Sequence, residues 1–333
     1  MDGVVTKLSS FKQPTLLWLL ASCQAATILL TWPIWQVHRF PPMLPALPLP
    51  EISSGVILLI TLVGILFRPL TGLSLHTAFV VYSILIDQTR LQPEIVSLVI
   101  LMWGSLAFSS LKILARAHLV SLWFFAGLNK LLSSGYRANF RFLHHPFSSG
   151  RALMIAVVEI LIGVLVCIPR TRKIAATVAF ALHLGVVVVL VRSHGNSAVW
   201  AWNIGLAFAA VAFFYSWKES AVRALTGSGA WATAGALLVL ISPLGFYFGL
   251  GDPYLAHNLY SKNTPVAVWH RADGTSEGIQ MWQALNVPMP PEHRLFEQYF
   301  NELCGPGDYL VIQDPRYWAA LRGYSERVIP CIP

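Results

Sequence analysis

Long apolar runs recur through the first 250 residues, and they constrain the fold more than any other feature of the sequence. A helix needs roughly 20 apolar residues to cross a bilayer. The chain is 56% hydrophobic and only 11% charged, whereas soluble domains have about a quarter charged residues. The sequence therefore predicts an all-α polytopic membrane helix bundle with nine spans, at about residues 15–36, 52–67, 71–87, 94–111, 117–132, 152–168, 174–191, 198–216 and 229–249.

Basic residues indicate how these spans are oriented. Lys and Arg are enriched on the cytoplasmic side of membrane proteins. With the N-terminus inside, the short inner segments contain Lys7, Lys12, Arg68, Lys112, Arg116, Arg170, Arg172, Lys173, Lys218 and Arg223. The longer outer loops contain Arg39, Arg90, Arg137, Arg141, Arg151 and Arg192. We therefore expect an N-inside, C-outside protein of the cell (inner or plasma) membrane. The formal charge of +8 reflects this topology, so we expect the lipid bilayer as a partner and no binding of nucleic acid.

The chain changes character after Gly251. Residues 251–333 contain charges, prolines and alternating stretches such as YLVIQ at 309–313, which is typical of a strand. We expect a transmembrane helical domain over residues 1–250 and a small α+β extracytoplasmic domain over residues 251–333. Cys304 and Cys331 lie in the second domain. We expect them to form a disulfide, because a small extracytoplasmic domain gains much stability from such a link.

Polar side chains inside the apolar spans are the candidate functional residues, because burying them is costly unless they are paired or hydrated. Lys130 interrupts the fifth span at LWFFAGLNKLL, and Glu159 and His183 lie about half-way along the sixth and seventh spans. The candidates at the outer ends of spans are Asp87, Arg90, Asn196, Trp200 and Asn203. We expect Asp87, Lys130, Glu159 and His183 to line one polar cavity that opens toward the outer face.

Structural alternatives stay open for the same residues. Asp87 and Glu159 have the charge to neutralise Arg90 and Lys130, so these groups also fit ion pairs that hold a bundle together. Lys130 also fits a snorkelling anchor, whose ammonium reaches the interface along its aliphatic stem. The loop at 133–151 is aromatic and contains the adjacent residues His144 and His145. Adjacent histidines on a loop have poor ligand spacing, so we expect no metal site.

Three short motifs and the helix of Glu159 resemble a known group of membrane proteins. FFAGLNKL at 124–131, followed by Tyr136, resembles a segment of the horizontally transferred transmembrane (HTTM) domain found in vitamin K-dependent gamma-carboxylases and bacterial relatives. DQTRLQP at 87–93 and HGNSAVWAWN at 194–203 are similar to motifs of DoxX-like and MauE-like bacterial proteins. The sequence departs from those motifs at Glu94, where the group has Trp, and at Ala201, where it has Pro. The resemblance covers about residues 75–216.

The resemblance implies two classes of function. In a carboxylase-like membrane enzyme, Lys130 is the base that activates a lipid-soluble quinone, Glu159 or His183 relays protons, and an exported peptide is the substrate. Apolar surroundings disfavour a charged ammonium and so suit this role. In a DoxX-like or MauE-like protein, the chain is a non-enzymatic, redox-associated maturation or assembly subunit whose outer domain docks a partner. A transporter fits less well, because the sequence shows no internal repeat. We expect the first class, the carboxylase-like membrane enzyme, with the maturation or assembly subunit as the alternative, and the cofactor stays open.

Overall fold

A computed structural model of the protein describes residues 13–133, 136 and 149–332. Apolar helices dominate its first 250 residues. Their bounds are α1 Gln13–Leu30, α2 Gly55–Phe67, α3 Pro69–Ile86, α4 Pro93–Gly104, α5 Ser109–Leu132, α6 Ser149–Leu165, α7 Arg172–Arg192, α8 Trp200–Phe214, α9 Ala221–Thr226, α10 Ala230–Ile241 and α11 Pro243–Tyr247. Short 3₁₀ helices cover Trp32–Trp35, Gln88–Arg90 and Ser197–Val199.

The lengths of these helices confirm a multi-pass membrane protein. Five segments of the described chain are long and apolar enough to cross a bilayer: Pro69–Ile86, Ser109–Leu132, Arg172–Arg192, Ser197–Phe214 and Ala230–Tyr247. Four further apolar helices are shorter, at Pro14–Leu30, Gly55–Phe67, Pro93–Gly104 and Leu153–Leu165. A 13-residue helix such as α2 is only about 20 Å long at 1.5 Å per residue. The count of nine spans therefore stays a prediction.

Two helix boundaries differ from the sequence-based ones. The first helix ends at Leu30 and not near residue 36, because Pro33 begins a separate 3₁₀ turn. The break between the fourth and fifth helices lies at 105–108 and not at 112–116. Gly104 packs so closely on Ala115 that a Cβ at residue 104 would overlap it. This contact places the turn between the two helices directly after residue 104, earlier than the sequence predicts. Lys112 and Arg116 thus lie inside α5.

A four-stranded antiparallel sheet forms the C-terminal domain. The strands are β1 Val266–His270, β2 Ser276–Gly278, β3 Tyr309–Gln313 and β4 Glu326–Pro330, in the order β2-β1-β3-β4. Helices α12 Trp282–Leu285, α13 His293–Leu303 and α14 Tyr317–Leu321 accompany it. One face of the sheet packs on α13, where the rings of Trp269 and Phe300 lie 5.7 Å apart. The other face, which we call the open face, has no helix over it in the described chain.

The sheet domain is docked on one end of the helix bundle. Asn286 Nδ2 donates to the carbonyl oxygen of Leu30 at 2.7 Å, and Gln92 Nε2 donates to that of Pro288 at 3.2 Å. Gln88 Nε2 donates to Gln298 Oε1 at 3.2 Å. These contacts place the end of α1, the end of α3 and the start of α4 on the side of the domain. The apolar core continues from the bundle into the domain.

A tryptophan between two arginines joins the opposite end of the bundle. The indole of Trp217 lies 4.2 Å from the guanidinium carbon of Arg116 and 3.8 Å from that of Arg172. Arg172 is buried and donates to the carbonyl oxygens of Val166, Cys167, Trp217 and Glu219. Such cation–π contacts are stronger when desolvated. This cluster links the start of α7, the first half of α5 and the segment after α8.

The predicted disulfide is present between Cys304 and Cys331, while Cys23 and Cys167 are free. The two bonded residues are 27 apart in sequence. We expect the Cys304→Ser/Cys331→Ser variant to lose roughly 3 kcal/mol of stability in the C-terminal domain, because the unfolded loop is no longer closed. Pulse proteolysis of the sheet domain across a urea series measures this loss. A Cys167→Ser control should leave the midpoint unchanged, and maleimide labelling of both Cys304 and Cys331 in unreduced protein would contradict the pairing.

Candidate functional site

Lys130 and Glu159 form an ion pair between α5 and α6. The Nζ of Lys130 lies 2.7 Å from Oε1 and 2.6 Å from Oε2 of Glu159. The two side chains are only 10% and 14% exposed. One turn earlier, α5 has Gly127, where a Cβ would overlap the carbonyl oxygen of Ala156 on α6. This close approach of the two helices brings the ammonium and the carboxylate of the next turn into contact.

The two-oxygen contact has the geometry of a structural ion pair. Charge-assisted hydrogen bonds of this length are the stronger ones in proteins, and removing one partner of a buried pair is strongly destabilising. The ammonium uses both carboxylate oxygens, so its charge is neutralised in place. Among the alternatives from the sequence, the geometry fits the ion pair. A snorkelling anchor does not require this contact.

His183 lies in a second buried network. Trp123 Nε1 donates to His183 Nε2 at 2.9 Å, and His183 Nδ1 lies 2.9 Å from Asn203 Oδ1. The indole N–H only donates, so Nε2 is an acceptor and the proton sits on Nδ1. Asn203 Nδ2 donates in turn to the carbonyl oxygen of Val199. Both ring nitrogens are therefore used, and a proton relay through His183 requires this network to rearrange.

Asp87 and Arg90 form a third group, which binds the loop between α1 and α2. Arg90 is fully buried and donates from Nε to Ile34 and from Nη2 to Gln36, each at 2.8 Å to the carbonyl oxygen. Its Nε also lies 3.6 Å from Asp87 Oδ2. His38 has an acceptor at each ring nitrogen, Pro41 O at 2.7 Å and Asp87 Oδ2 at 3.1 Å. His38 thus links the loop at Pro41 to Asp87 at the end of α3.

Asn196 and Trp200 flank the start of α8. Asn196 Oδ1 accepts from the backbone N–H of Ala198 at 2.9 Å, so it caps the 3₁₀ turn at 197–199. The indole nitrogen of Trp200 is buried without a hydrogen-bond partner. Ser197, in the same turn, accepts a 3.3 Å bond from Asn286 of the sheet domain. This segment therefore supports the docking of the C-terminal domain.

The structure brings the predicted site residues together in three groups and not in one. These are Lys130 with Glu159, His183 with Asn203, and Asp87 with Arg90. Within residues 13–133 and 149–332, no hydrogen bond or ion pair joins one group to another. The shared cavity stays a prediction. His144 and His145 lie outside the described residues, and elsewhere no three His, Cys, Asp or Glu side chains come together as metal ligands.

Sequence reasoning missed a polar belt between the bundle and the segment at 254–258. His118 Nε2 lies 2.7 Å from Ser97 Oγ, and its ring lies 5.3 Å from that of His257. Burial and the neighbouring His118 hold the pKa of His257 well below its ordinary value. Asn129 Nδ2 donates to the carbonyl oxygen of Ala256 at 2.9 Å. His118 in the fifth helix was the available signal, since an ionisable residue in a span needs a partner.

These features define a multi-pass membrane protein with internal ion pairs and a docked sheet domain. Comparison with known families gives one match: residues 108–199 are similar to the family of methylamine utilisation protein MauE. The matched segment contains Lys130, Glu159, His183 and Asn196 and covers less than a third of the chain. No curated protein and no solved structure matches the chain. The match supports the MauE part of the resemblance, and the carboxylase-like part gains no support from it.

The ion pair yields a prediction about Lys130. We expect Lys130→Met to destabilise the protein by on the order of 3–5 kcal/mol, because it leaves the Glu159 carboxylate buried and unpaired. Lys130→Arg should retain most of the stability, and Lys130→Met/Glu159→Leu should recover it, because no charge is left alone. Thermal unfolding and membrane yield of the three variants measure the effect. A fully stable Lys130→Met single variant would contradict the pairing.

Proposed function

We propose that this chain is a membrane-embedded maturation or assembly subunit whose sheet domain binds an exported partner protein. The similarity of residues 108–199 to MauE carries the proposal. The matched segment contains the Lys130–Glu159 pair, whose bonds fit a group that fastens α5 to α6. The helices thus serve as a stable base, and the docked domain is the part left to meet a partner.

The carboxylase-like alternative gains no support from the family match, and it requires the bonds of the same residues to rearrange. It needs an amine free to take a proton, but Lys130 Nζ is bonded to both oxygens of Glu159. It also needs a relay, but both nitrogens of His183 already have partners. In this alternative, a base role for Lys130 requires its contact with Glu159 to open. We derive no reaction step through the quinone that it implies.

The open face of the sheet supports a partner-binding role. Val268, Val311 and Val328 are paired across β1, β3 and β4 and form an apolar row. Beside it, the rings of His270 and Tyr309 stack 4.7 Å apart. Val328 is 59% exposed and Val268 and Val311 are half-buried, while α13 covers the other face. Exposed apolar patches on a folded domain are typical of protein interfaces. The open face lies between the edge strands β2 and β4 and is therefore suited to binding an exported protein.

We also propose that the sheet domain lies outside the cytoplasm, with residues 1–250 as the membrane domain. Arg116 and Arg172 lie at the end of the bundle opposite the domain, where positive residues favour the cytoplasm. The Cys304–Cys331 disulfide supports the same orientation, because disulfides persist in oxidising compartments.

Orientation is testable with a single exposed thiol. In a Cys331→Ser variant, Cys304 is left reduced. We expect a membrane-impermeant maleimide to label Cys304 in intact cells, because the domain faces the outside. Cys167, near the opposite end of the bundle, should be labelled only after the membrane is permeabilised, and a Cys304→Ser/Cys331→Ser protein provides the background. Labelling of Cys304 only after permeabilisation would reverse the proposed orientation.

The maturation role predicts that loss of the gene lowers the level of particular exported proteins. We expect quantitative proteomics of the extracytoplasmic fraction, from cells grown with and without methylamine, to show clients that a wild-type copy restores. Lys130→Arg should also restore them, because it keeps the ion pair. Val328→Lys should not, because it places a charge in the apolar row of the open face.

A matched control separates the open face from general damage to the domain. Asn301→Lys adds the same charge at an exposed position of α13, on the opposite side of the sheet, and should restore the clients. If Val328→Lys restores them as well as Asn301→Lys, the open face is not the partner surface. If a folded Lys130→Arg protein fails while Val328→Lys succeeds, the maturation role is wrong and Lys130 acts as a base.

A further inference from the structure

A cleft of about 460 Å³ lies where the sheet domain meets the end of the last membrane helix. One wall is Tyr247, Phe248 and Gly249, which directly follow the apolar segment Ala230–Tyr247. The other wall comes from the domain and includes Arg322 and Trp318. Because the first wall is the point where the chain leaves the bilayer, the cleft lies at the level of the membrane surface.

The floor of the cleft is a neutralised pair. Arg316 contacts both oxygens of Asp314, with Nε 2.8 Å from Oδ1 and Nη2 2.5 Å from Oδ2. His293 Nε2 lies 3.0 Å from Oδ2. Burial alone would raise the pKa of the Asp314 carboxyl, but the hydrogen bonds from His293 and Arg316 and the charge of Arg316 lower it to about 2. Asp314 is therefore ionised at neutral pH and offsets the charge of Arg316.

Arg322 supplies the charge that this pair does not offset. Its guanidinium carbon lies 4.7 Å from the ring centroid of Trp318, and the side chain is exposed. No carboxylate in the described chain forms an ion pair with it, whereas Arg327, also in the cleft, pairs with Glu297 at 2.7 Å. A guanidinium has a planar set of donors that matches the oxygens of a phosphate.

Two of the apolar side chains that line the cleft are exposed, Phe248 at 47% and Tyr324 at 56%. Leu250, the residue after the lining Gly249, is 83% exposed. Such a set is unfavourable in water. It is typical of the interfacial zone of a bilayer, where aromatic rings lie at headgroup level and aliphatic side chains reach the acyl region. The apolar rim matches acyl chains and the guanidinium of Arg322 matches a phosphate, and a phospholipid contains both.

We propose that the Arg322 cleft binds an anionic phospholipid, with its phosphate on Arg322 and its acyl chains against Phe248 and Tyr324. Free phosphate could make the same contact with Arg322, but only a lipid would also contact the apolar rim. The site is separate from the open face of the sheet. Its occupation by lipid would fasten the domain to the membrane next to the last helix.

The test uses full-length protein in detergent, titrated with a short-chain phosphatidylglycerol below its micelle concentration, with phosphatidylcholine or with inorganic phosphate. We expect phosphatidylglycerol to bind most tightly. Arg322→Gln should weaken its binding by about tenfold, as expected for a lost charge-assisted bond. Arg271→Gln is the matched control, because Arg271 also stacks on a tryptophan of the domain, 4.2 Å from the Trp269 ring, but lies outside the cleft. It should bind normally.

A rim variant distinguishes a lipid from a free anion. Tyr324→Ser should weaken binding of phosphatidylglycerol and leave that of inorganic phosphate unchanged, because Tyr324 lines the cleft. Three results would overturn the proposal: equal loss in Arg322→Gln and Arg271→Gln, binding of inorganic phosphate as tight as that of phosphatidylglycerol, or a Tyr324→Ser protein with unchanged lipid affinity. Restoration of the exported clients does not depend on Arg322, so the lipid site and the maturation role fail independently.

Discussion

The need of every charge buried among the helices for a partner, as Lys130 has in Glu159, is the constraint on which the helix bundle most depends. A charge buried among apolar helices is tolerated when a partner of opposite charge is within bonding distance, and both oxygens of Glu159 meet the ammonium. The same constraint explains Arg90, which is fully buried and bound to carbonyl oxygens of the loop before α2. It also explains His183, whose ring is held between Trp123 and Asn203. Each polar group fastens one element of the bundle to another.

The sequence predicted those parts of the structure that depend on local pattern or on simple pairing. The apolar runs indicated the membrane helices, and YLVIQ indicated the strand at 309–313. The two cysteines of one small domain indicated their disulfide. The sequence also indicated that two carboxylates could neutralise two cations, without saying which pairs form, and the structure pairs Lys130 with Glu159 and Arg90 with Asp87.

Contacts between distant segments were beyond the sequence. Asn129 bonds to the backbone of Ala256, 127 residues away, and His118 meets His257 because the segment after the last membrane helix folds back onto α5. Nothing in the local sequence encodes such a return. The end of α4 was also misplaced, because it depends on the fit of Gly104 against Ala115 and not on hydropathy. The number of separate polar groups inside the bundle follows from such packing.

Trp217, clasped between Arg116 and Arg172, has a mechanical consequence. The sheet domain holds the helices together at one end of the bundle, and Trp217 with its two arginines holds them together at the other. A carrier that shows its interior to each side of a membrane in turn must let one end spread while the other stays shut. Here either end would have to give up buried hydrogen bonds before it spread, among them the four from Arg172. Separation of the helices at either end of the bundle is therefore costly, which favours a rigid support over a carrier.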